Sequence, residues 1–274
     1  MPLETALSWS IMAGALIALA LPAIAQTAST SPVSAETEVR TDARHADWTD
    51  ILQAYTQPSD DGINLFDYGA LKDNEADRAK LDAYIDRIAN RDWESLPRKE
   101  QFVSWANLYN AVTIRHMIER YPVKSIRSGY ITGPWKKVGV EVPGRGFVSL
   151  DDMEHAILRA EWDEPRIHYM VNCASIGCPN LRARAWEATQ TLDAELDAAA
   201  RAFVNSERGV RIRRDGRLQV SRIYKWFEED FGGSEEGVID HILQYADDGL
   251  AKQIRARPDI RSHMYDWDLN DTER

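Results

Sequence analysis

Two cysteines five residues apart are the residues of this chain best suited to chemistry. They lie in the segment Cys173-Ala-Ser-Ile-Gly-Cys178, and the chain has no other cysteine. Pro179 follows directly, and proline is favoured in the first turn of a helix, so we expect Cys178 at the N-terminus of a helix or helical turn. The N–H groups there would lower the pKa of the thiol and favour a nucleophilic thiolate. Two plainer interpretations stay open: packing as a small buried residue, and a disulfide between Cys173 and Cys178.

A thiol nucleophile needs a base, and the chain has six histidines. His155 follows a predicted hairpin and His168 precedes the cysteine segment, so we expect both near Cys178. His155 is the preferred base, because a side chain on a rigid helix is held at a fixed angle to the thiol. His168 is the alternative, and its ring could instead orient the cysteine loop. His45 falls in a predicted flexible leader and is set aside.

Amide and hydroxyl groups near these residues are candidates for binding or orientation. Asn107 and Asn110 lie three residues apart in the strongest predicted helix, where asparagine is a poor helix former. We expect such an amide to hold a loop or to orient the base, as an amide does in thiol proteases. The full set of binding or orienting candidates is Asn107, Tyr109, Asn110, Asn172 and Ser175.

The sequence predicts no metal site, no cofactor and no nucleic-acid partner. Four residues separate Cys173 from Cys178 and no second pair lies nearby, which does not fit a zinc site. The chain has no glycine-rich phosphate loop. Its formal net charge of −11 at pH 7 disfavours a general binder of polyanions. We therefore expect a peptide, a glycan or a small molecule as the partner.

The first 25 residues have the pattern of a secretory signal. Ser10–Leu21 is an apolar run too short to span a bilayer, and Ala23-Ile24-Ala25 forms a small-x-small cleavage site. Residues 26–47 are rich in Thr, Ser, Ala and Glu and predict a flexible leader. These features predict a periplasmic or secreted protein with no membrane span after cleavage. An uncleaved anchor is the alternative.

Residues 48–274 predict one mostly helical α+β domain with a small antiparallel sheet and hairpins. Hairpins are predicted at 137–150 and 210–220, the second around Asp215-Gly216. Alternation over Arg166–Asn172 predicts a strand that leads into the cysteine segment. The predicted helices cover 48–55, 77–89, 99–120, 150–160, 192–205, 223–231, 237–246 and 247–256.

Several blocks of sequence resemble the family catalogued as domain of unknown function 547. In chain order they are Trp105–Ala111, Ser149–Arg159, Arg166–Leu181, Ser221–Gly232 and Tyr265–Asn270. The resemblance covers Trp48 to Asn270 and implies a secreted bacterial member of this family, with Cys178 at the cysteine position of the family. Gly177 stands where a serine is common. Relatives in plants and animals join the domain to glutaredoxin-like modules, which favours thiol chemistry.

The motif layout is also similar to that of papain- and transglutaminase-type thiol hydrolases, and a distant fold relationship is an open expectation. Three functions remain. The first is a thiol-dependent acyltransferase or hydrolase acting on an amide-like bond through Cys178. The second is a thiol–disulfide redox or thiol-ligand protein that uses Cys173 and Cys178 together. The third is a non-catalytic module that binds a peptide or a glycan.

Overall fold

The structure, a computed structural model, describes residues 44–273. The predicted signal at residues 1–25 and the predicted leader up to residue 43 lie outside the described residues. Within 44–273, no helix is both long enough and apolar enough to cross a membrane. His45 lies in the predicted leader, yet it is fully buried and hydrogen-bonds the hydroxyl of Tyr84 at 2.8 Å, so the folded part includes residues before Trp48.

Helices dominate the first half of the described chain, with one short strand pair after the first helix. Helix α4 is the longest and is buried on most of its surface, so it forms the centre of the larger hydrophobic core. The elements are α1 (Ala46–Tyr55), β1 (Thr56–Pro58), β2 (Asn64–Phe66), α2 (Tyr68–Asp73), α3 (Glu75–Ala89) and α4 (Arg98–Arg120).

The second half alternates hairpins with shorter helices. Strands β3 and β4 pair antiparallel, as do β5 and β6, and β7 adds to β6 in parallel. The elements are β3 (Gly139–Val142), β4 (Gly146–Ser149), a π-helix (Asp152–Arg159), a 3₁₀ helix (Pro165–Tyr169), α5 (Leu192–Val204), β5 (Val210–Ile212), β6 (Leu218–Ser221), α6 (Ile223–Trp226), α7 (Glu235–Tyr245), α8 (Asp248–Ala256) and β7 (Ile260–Met264).

The predicted α+β class is confirmed, and the two predicted hairpins are present. The parallel strand β7 has no local signal in the sequence. The predicted helix 223–231 ends at Trp226, before the glycines at 232 and 233. The remaining predicted helices are present within a few residues of their expected ends.

The strand predicted over Arg166–Asn172 is wrong. A 3₁₀ helix occupies Pro165–Tyr169, started by Glu164, whose side chain accepts a hydrogen bond from the backbone N–H of Arg166 at 3.0 Å. The apolar alternation has another cause: Ile167 packs into the larger core around α4, whereas Tyr169 packs into a second core around α5 and α7. The cysteine segment therefore follows a 3₁₀ helix whose side chains pack into both hydrophobic cores.

The helix or helical turn predicted to start at Cys178-Pro179 is also wrong. Residues 175–178 form a turn in which the N–H of Cys178 donates to the carbonyl of Ser175 at 3.0 Å, and no helix follows it before Thr191. Cys178 is thus not at a helix N-terminus, and any shift in its pKa must come from other groups.

The helix predicted at 150–160 is present, but its centre is the π-helix. Its start is capped by Ser149: the N–H and Oγ of Ser149 both donate to Asp152, at 2.9 and 2.6 Å, and the N–H of Asp152 donates back to Oγ at 3.1 Å. Segments of π-helix occur often at functional sites. Here the π-helix carries Glu154 and His155, two residues that line a groove.

Candidate active site

The cysteine loop is shaped by buried asparagine side chains. Oδ1 of Asn110 accepts from the N–H of Asn172 at 2.8 Å, and Nδ2 of Asn110 donates to the carbonyl of Met170 at 2.9 Å. Oδ1 of Asn172 accepts from the N–H of Ala174 at 2.8 Å, where φ is +60°. Asn107 instead donates through Nδ2 to the carbonyl of Trp186 and accepts at Oδ1 from the N–H of Trp186. Asn110 and Asn172 therefore hold the loop directly, and Asn107 holds a neighbouring segment.

A second segment, residues 265–269, closes the loop from the other side. The N–H of Ile176 donates to the carbonyl of Asp268, and that of Gly177 donates to the carbonyl of Asp266, both at 2.8 Å. A Cβ atom at Gly177 would lie 2.7 Å from the backbone nitrogen of Asp266, so only glycine allows this approach. Arg208 also donates to the carbonyls of Ile176 and Cys178, at 3.1 and 2.6 Å.

Four side chains meet at the sulfurs, and we call them the sulfur cluster: Cys173, Cys178, Ser175 and Tyr265. The two Sγ atoms are free thiols that lie 2.7 Å apart. The Tyr265 hydroxyl is 3.1 Å from each sulfur, and Oγ of Ser175 is 3.1 Å from Cys173 and 3.7 Å from Cys178. The N–H of Cys173 also donates to Sγ of Cys178 at 3.0 Å.

These contacts make the two thiols unequal. Burial acts to raise the pKa of Cys178, but hydrogen bonds from the thiol and the N–H of Cys173, from Tyr265 and from Ser175 outweigh it and lower the pKa to about 6. The contact with Cys178 and burial raise the pKa of Cys173 well above its ordinary value. Near neutral pH, Cys178 is therefore the thiolate and Cys173 the thiol that donates to it.

Glu154 is the carboxylate whose charge acts on this thiolate. It is 9% exposed, and burial, followed by the charge of Cys178, raises its pKa to about 7. The Tyr109 hydroxyl donates to Glu154 and opposes this shift. A carboxyl group with such a pKa gains and loses a proton near neutral pH, which is the requirement for a general acid or base.

His168 belongs to a separate group, the imidazole cluster, together with Asp230, Arg159 and Phe227. Its Nε2 lies 2.6 Å from Oδ2 of Asp230, which also accepts from Nε of Arg159 at 2.6 Å. The ring stacks on Phe227 with centroids 4.0 Å apart. Burial lowers the pKa of His168, so the ring is neutral, donates through Nε2 and presents Nδ1 to Oε1 of Glu154 at 3.9 Å.

His155 is exposed at the edge of the same groove and its Nδ1 lies 2.9 Å from Nη1 of Arg159. Burial of its inner face lowers its pKa, so the ring is neutral near pH 7. Within residues 44–273, no hydrogen bond joins Cys178 to His155 or to His168. Both predicted bases share the groove with Cys178, but the groups in contact with its sulfur are Cys173, Ser175 and Tyr265.

The groove has a volume of about 720 Å³, and both cysteines line it. Aromatic rings form one wall, in which Tyr265 lies 4.5 Å from Trp267 and 4.8 Å from Trp226 between ring centroids. Four exposed cationic side chains also line it: Arg127, Lys136, Lys137 and Arg222. Across residues 44–273, no group of three or more His, Cys, Asp or Glu side chains is arranged to hold a metal ion.

The sequence reasoning placed Cys173, Ser175 and Cys178 in one loop and Asn172 at the end of a strand before it, whereas in the structure Asn172 belongs to the loop. It missed Tyr265 and Asp230 as site residues, and it gave Glu154 no chemical role. Tyr265 and Asp230 were contained in blocks that carry the family resemblance, and that was the signal available for them.

Residues 93–204 match the family described as "Protein of unknown function, DUF547". The match supports the domain family that the sequence motifs indicated. The DUF547 segment contains both cysteines, Glu154, His155 and His168, while Tyr265 and Asp230 follow it in the chain. No curated protein and no solved structure matches this chain.

Proposed function

We propose that this protein is a thiol–disulfide oxidoreductase that cycles Cys173 and Cys178 between a dithiol and a disulfide. The observation that carries the proposal is the 2.7 Å contact between the two sulfurs inside one hydrogen-bonded cluster that lines a groove. A dithiol reductant needs one thiolate that attacks and a second thiol in reach to resolve the mixed disulfide. The unequal pKa values of the pair match these two roles.

The steps follow from the roles of the two sulfurs. The Cys178 thiolate attacks one sulfur of a substrate R–S–S–R′, a Cys178–S–S–R bond forms, and R′–S⁻ leaves and takes a proton from water. Cys173 gives its proton to water, and its sulfur attacks Sγ of Cys178. The Cys173–Cys178 bond forms as R–S⁻ leaves, so two electrons pass to the substrate. A dithiol donor restores the reduced pair by the reverse sequence.

Acyl transfer through Cys178 is the second candidate, and a specific observation favours it. A thiolate with a pKa of about 6 lies in one groove with Glu154, a carboxyl that is partly protonated at pH 7 and suited to protonate an amine leaving group. In this mechanism Cys173 only stabilises the thiolate, so its removal leaves activity in place.

Single cysteine variants of the reduced protein separate the candidates, with bis(2-hydroxyethyl) disulfide as the probe. We expect Cys173→Ser and Cys178→Ser each to abolish turnover. Cys173→Ser should accumulate a mixed disulfide on Cys178, visible as added mass, whereas Cys178→Ser should not. The double variant is the blank, and thermal unfolding checks that each variant folds. Full turnover by Cys173→Ser would refute the dithiol mechanism. Exchange by wild-type protein no faster than that of a free thiol would exclude the redox function.

We also propose export to the periplasm or the exterior, on the basis of the apolar run Ser10–Leu21 and the small residues before Gln26. An oxidising compartment supplies disulfides for such a reductant to act on. We expect N-terminal sequencing of the exported protein to begin at Gln26. Recovery of Met1 on a membrane-bound product would contradict this proposal.

A further inference from the structure

The charged side chains that line the groove are mainly cationic, although the chain as a whole is acidic. The protein carries a formal net charge of −11, yet four cationic side chains line the groove, against the two carboxylic acids Asp151 and Glu154. Glu154 is partly neutral near pH 7, since its pKa is raised to about 7. The groove is therefore a positive region on an acidic protein, and such a region concentrates anionic ligands.

The cationic groups of the groove are available to a ligand. Within the described residues, no ion pair involves Arg127, Lys137 or Arg222, and all three are exposed. The guanidinium of Arg127 lies over the ring of Trp267, 4.9 Å from its centroid, which leaves its N–H groups to bind other partners. Lys136 lies 3.9 Å from Asp151, a loose contact on a side chain that is 82% exposed.

Cationic side chains in the groove would help an anionic substrate to approach the Cys178 thiolate. The Cys178 thiolate repels any anionic substrate that approaches it, and cations around the groove offset this repulsion. The aromatic wall of Trp226, Tyr265 and Trp267 offers an apolar surface for the stem of a ligand. The volume of about 720 Å³ falls in the range of roughly 300–1,000 Å³ that is typical of small-ligand clefts.

We infer that the substrate is a small organic disulfide that carries carboxylates, held by the cations of the groove while its sulfur lies at Cys178. The inference rests on the proposed redox function and adds the chemical class of the substrate. Arg222 and Lys137 are expected to bind the carboxylates, since neither has an ionic partner among residues 44–273.

Three disulfides of similar length and different charge test the inference: 3,3′-dithiodipropionate, bis(2-hydroxyethyl) disulfide and cystamine. At low salt we expect the anionic disulfide to react about tenfold faster than the neutral one, and cystamine to react slowest, after division by the rates of a free thiol. The difference should shrink in 1 M salt, where charges are screened within about 3 Å. Equal normalised rates for the three disulfides would overturn the inference and leave the redox function standing.

A second readout does not depend on redox chemistry. Iodoacetate and iodoacetamide alkylate thiols and differ by one negative charge. We expect the ratio of their rates at Cys178, divided by the same ratio for free cysteine, to be about five to ten. A normalised ratio of one would overturn the inference. A high ratio together with no exchange on any disulfide would refute the redox function, and with it the disulfide substrate, and leave only an anion-selective groove.

Charge variants connect the preference to named residues. Arg222→Gln and Lys137→Gln should each lower the iodoacetate to iodoacetamide ratio about threefold, and Asp151→Asn should raise it. Lys252→Gln is the matched control, because Lys252 is exposed on α8 and does not line the groove. An equal loss in Lys252→Gln would mean that net charge, not the groove, sets the preference, and would contradict the inference.

Discussion

The sulfur cluster and the imidazole cluster line the same groove, but they differ in the charge of the groups that surround them. In the sulfur cluster, the thiolate is stabilised by a thiol, two hydroxyls and one backbone N–H, and none of these is a cation. In the imidazole cluster, the carboxylate of Asp230 accepts two hydrogen bonds from Arg159 and a third from His168.

This difference separates a reactive group from a positioning group. The hydrogen bonds from His168 and Arg159 overcome the effect of burial and hold the pKa of Asp230 well below its ordinary range, so this carboxylate exchanges no proton near neutral pH. The Cys178 thiol, with a pKa of about 6, does exchange one. We therefore expect the imidazole cluster to fix the groove wall behind Glu154 and the sulfur cluster to carry the reaction.

The largest effect is expected from Gly177→Ala. The new Cβ would lie 2.7 Å from the backbone nitrogen of Asp266, so the adjacent backbone must move and take Tyr265 away from the sulfurs. The pH midpoint of Cys178 alkylation by iodoacetamide should rise from about 6 toward the ordinary cysteine value of ~8.5. Gly249→Ala is the control, because its Cβ comes no closer than 3.4 Å to a flexible side chain. An unchanged midpoint would mean that the 265–269 segment does not set the pKa.

Asp230→Asn should lower stability and leave the thiol chemistry unchanged. The amide loses the charge-assisted bonds to Arg159 and His168, which we expect to cost about 2 kcal/mol of unfolding free energy. Urea denaturation measures this loss. The alkylation midpoint of Cys178 should stay at its wild-type value, and a shift in it would show that the two clusters act as one unit.

Tyr265→Phe should raise the alkylation midpoint of Cys178 by about one pH unit, because one hydrogen bond to the thiolate is lost and one unit corresponds to ~1.4 kcal/mol. Tyr224→Phe is a matched control, since the Tyr224 hydroxyl is also buried but contacts Tyr169 at 3.2 Å. Equal shifts in the two variants would indicate a general loosening of the fold.

The two clusters should also stabilise the fold in different pH ranges. The pKa of Cys178 is lower in the folded chain than in the unfolded chain, so the unfolded chain binds more protons between pH 6 and 9 and the contribution of Cys178 rises across this range. The contribution of Asp230 is present above pH 4 and is lost below it. Urea denaturation of wild type, Cys178→Ser and Asp230→Asn across these ranges measures both. A difference between wild type and Cys178→Ser that falls from pH 6 to 9 would contradict the assigned thiolate.

The smallest effect is expected from His155→Ala. This histidine is neutral near pH 7 and contacts Arg159 instead of the sulfurs, so alkylation of Cys178 at pH 7 should change less than about twofold. His263→Ala, outside the groove, is the control for the loss of a neutral imidazole elsewhere in the fold. A slowing of tenfold or more in His155→Ala alone would restore the Cys178–His155 dyad as the reactive unit.

Local patterns predicted most of the helices and both hairpins but not the contacts between distant segments. The capping pattern of Ser149 and Asp152 and the burial of α4 follow from neighbouring residues, and both were predictable. The Cys178-Pro179 pattern failed because the backbone of residues 176 and 177 bonds to residues 266–268, and no local signal records that pairing. For the same reason the partner of the thiolate was sought among histidines and not at Tyr265, 87 residues away.

That separation of 87 residues fixes when the site can exist during protein synthesis. A ribosome adds about 5–20 residues per second, so Tyr265 is made roughly 4 to 17 s after Cys178. During this interval the Tyr265 hydroxyl cannot yet contact the two thiols, and the backbone of residues 266–268 cannot yet bond to the cysteine loop. The nascent chain therefore carries two ordinary cysteines, and the activated thiolate arises only when the later segment docks. The reactivity of the loop is a property of the completed fold, which protects the chain from premature thiol chemistry while it is still being made.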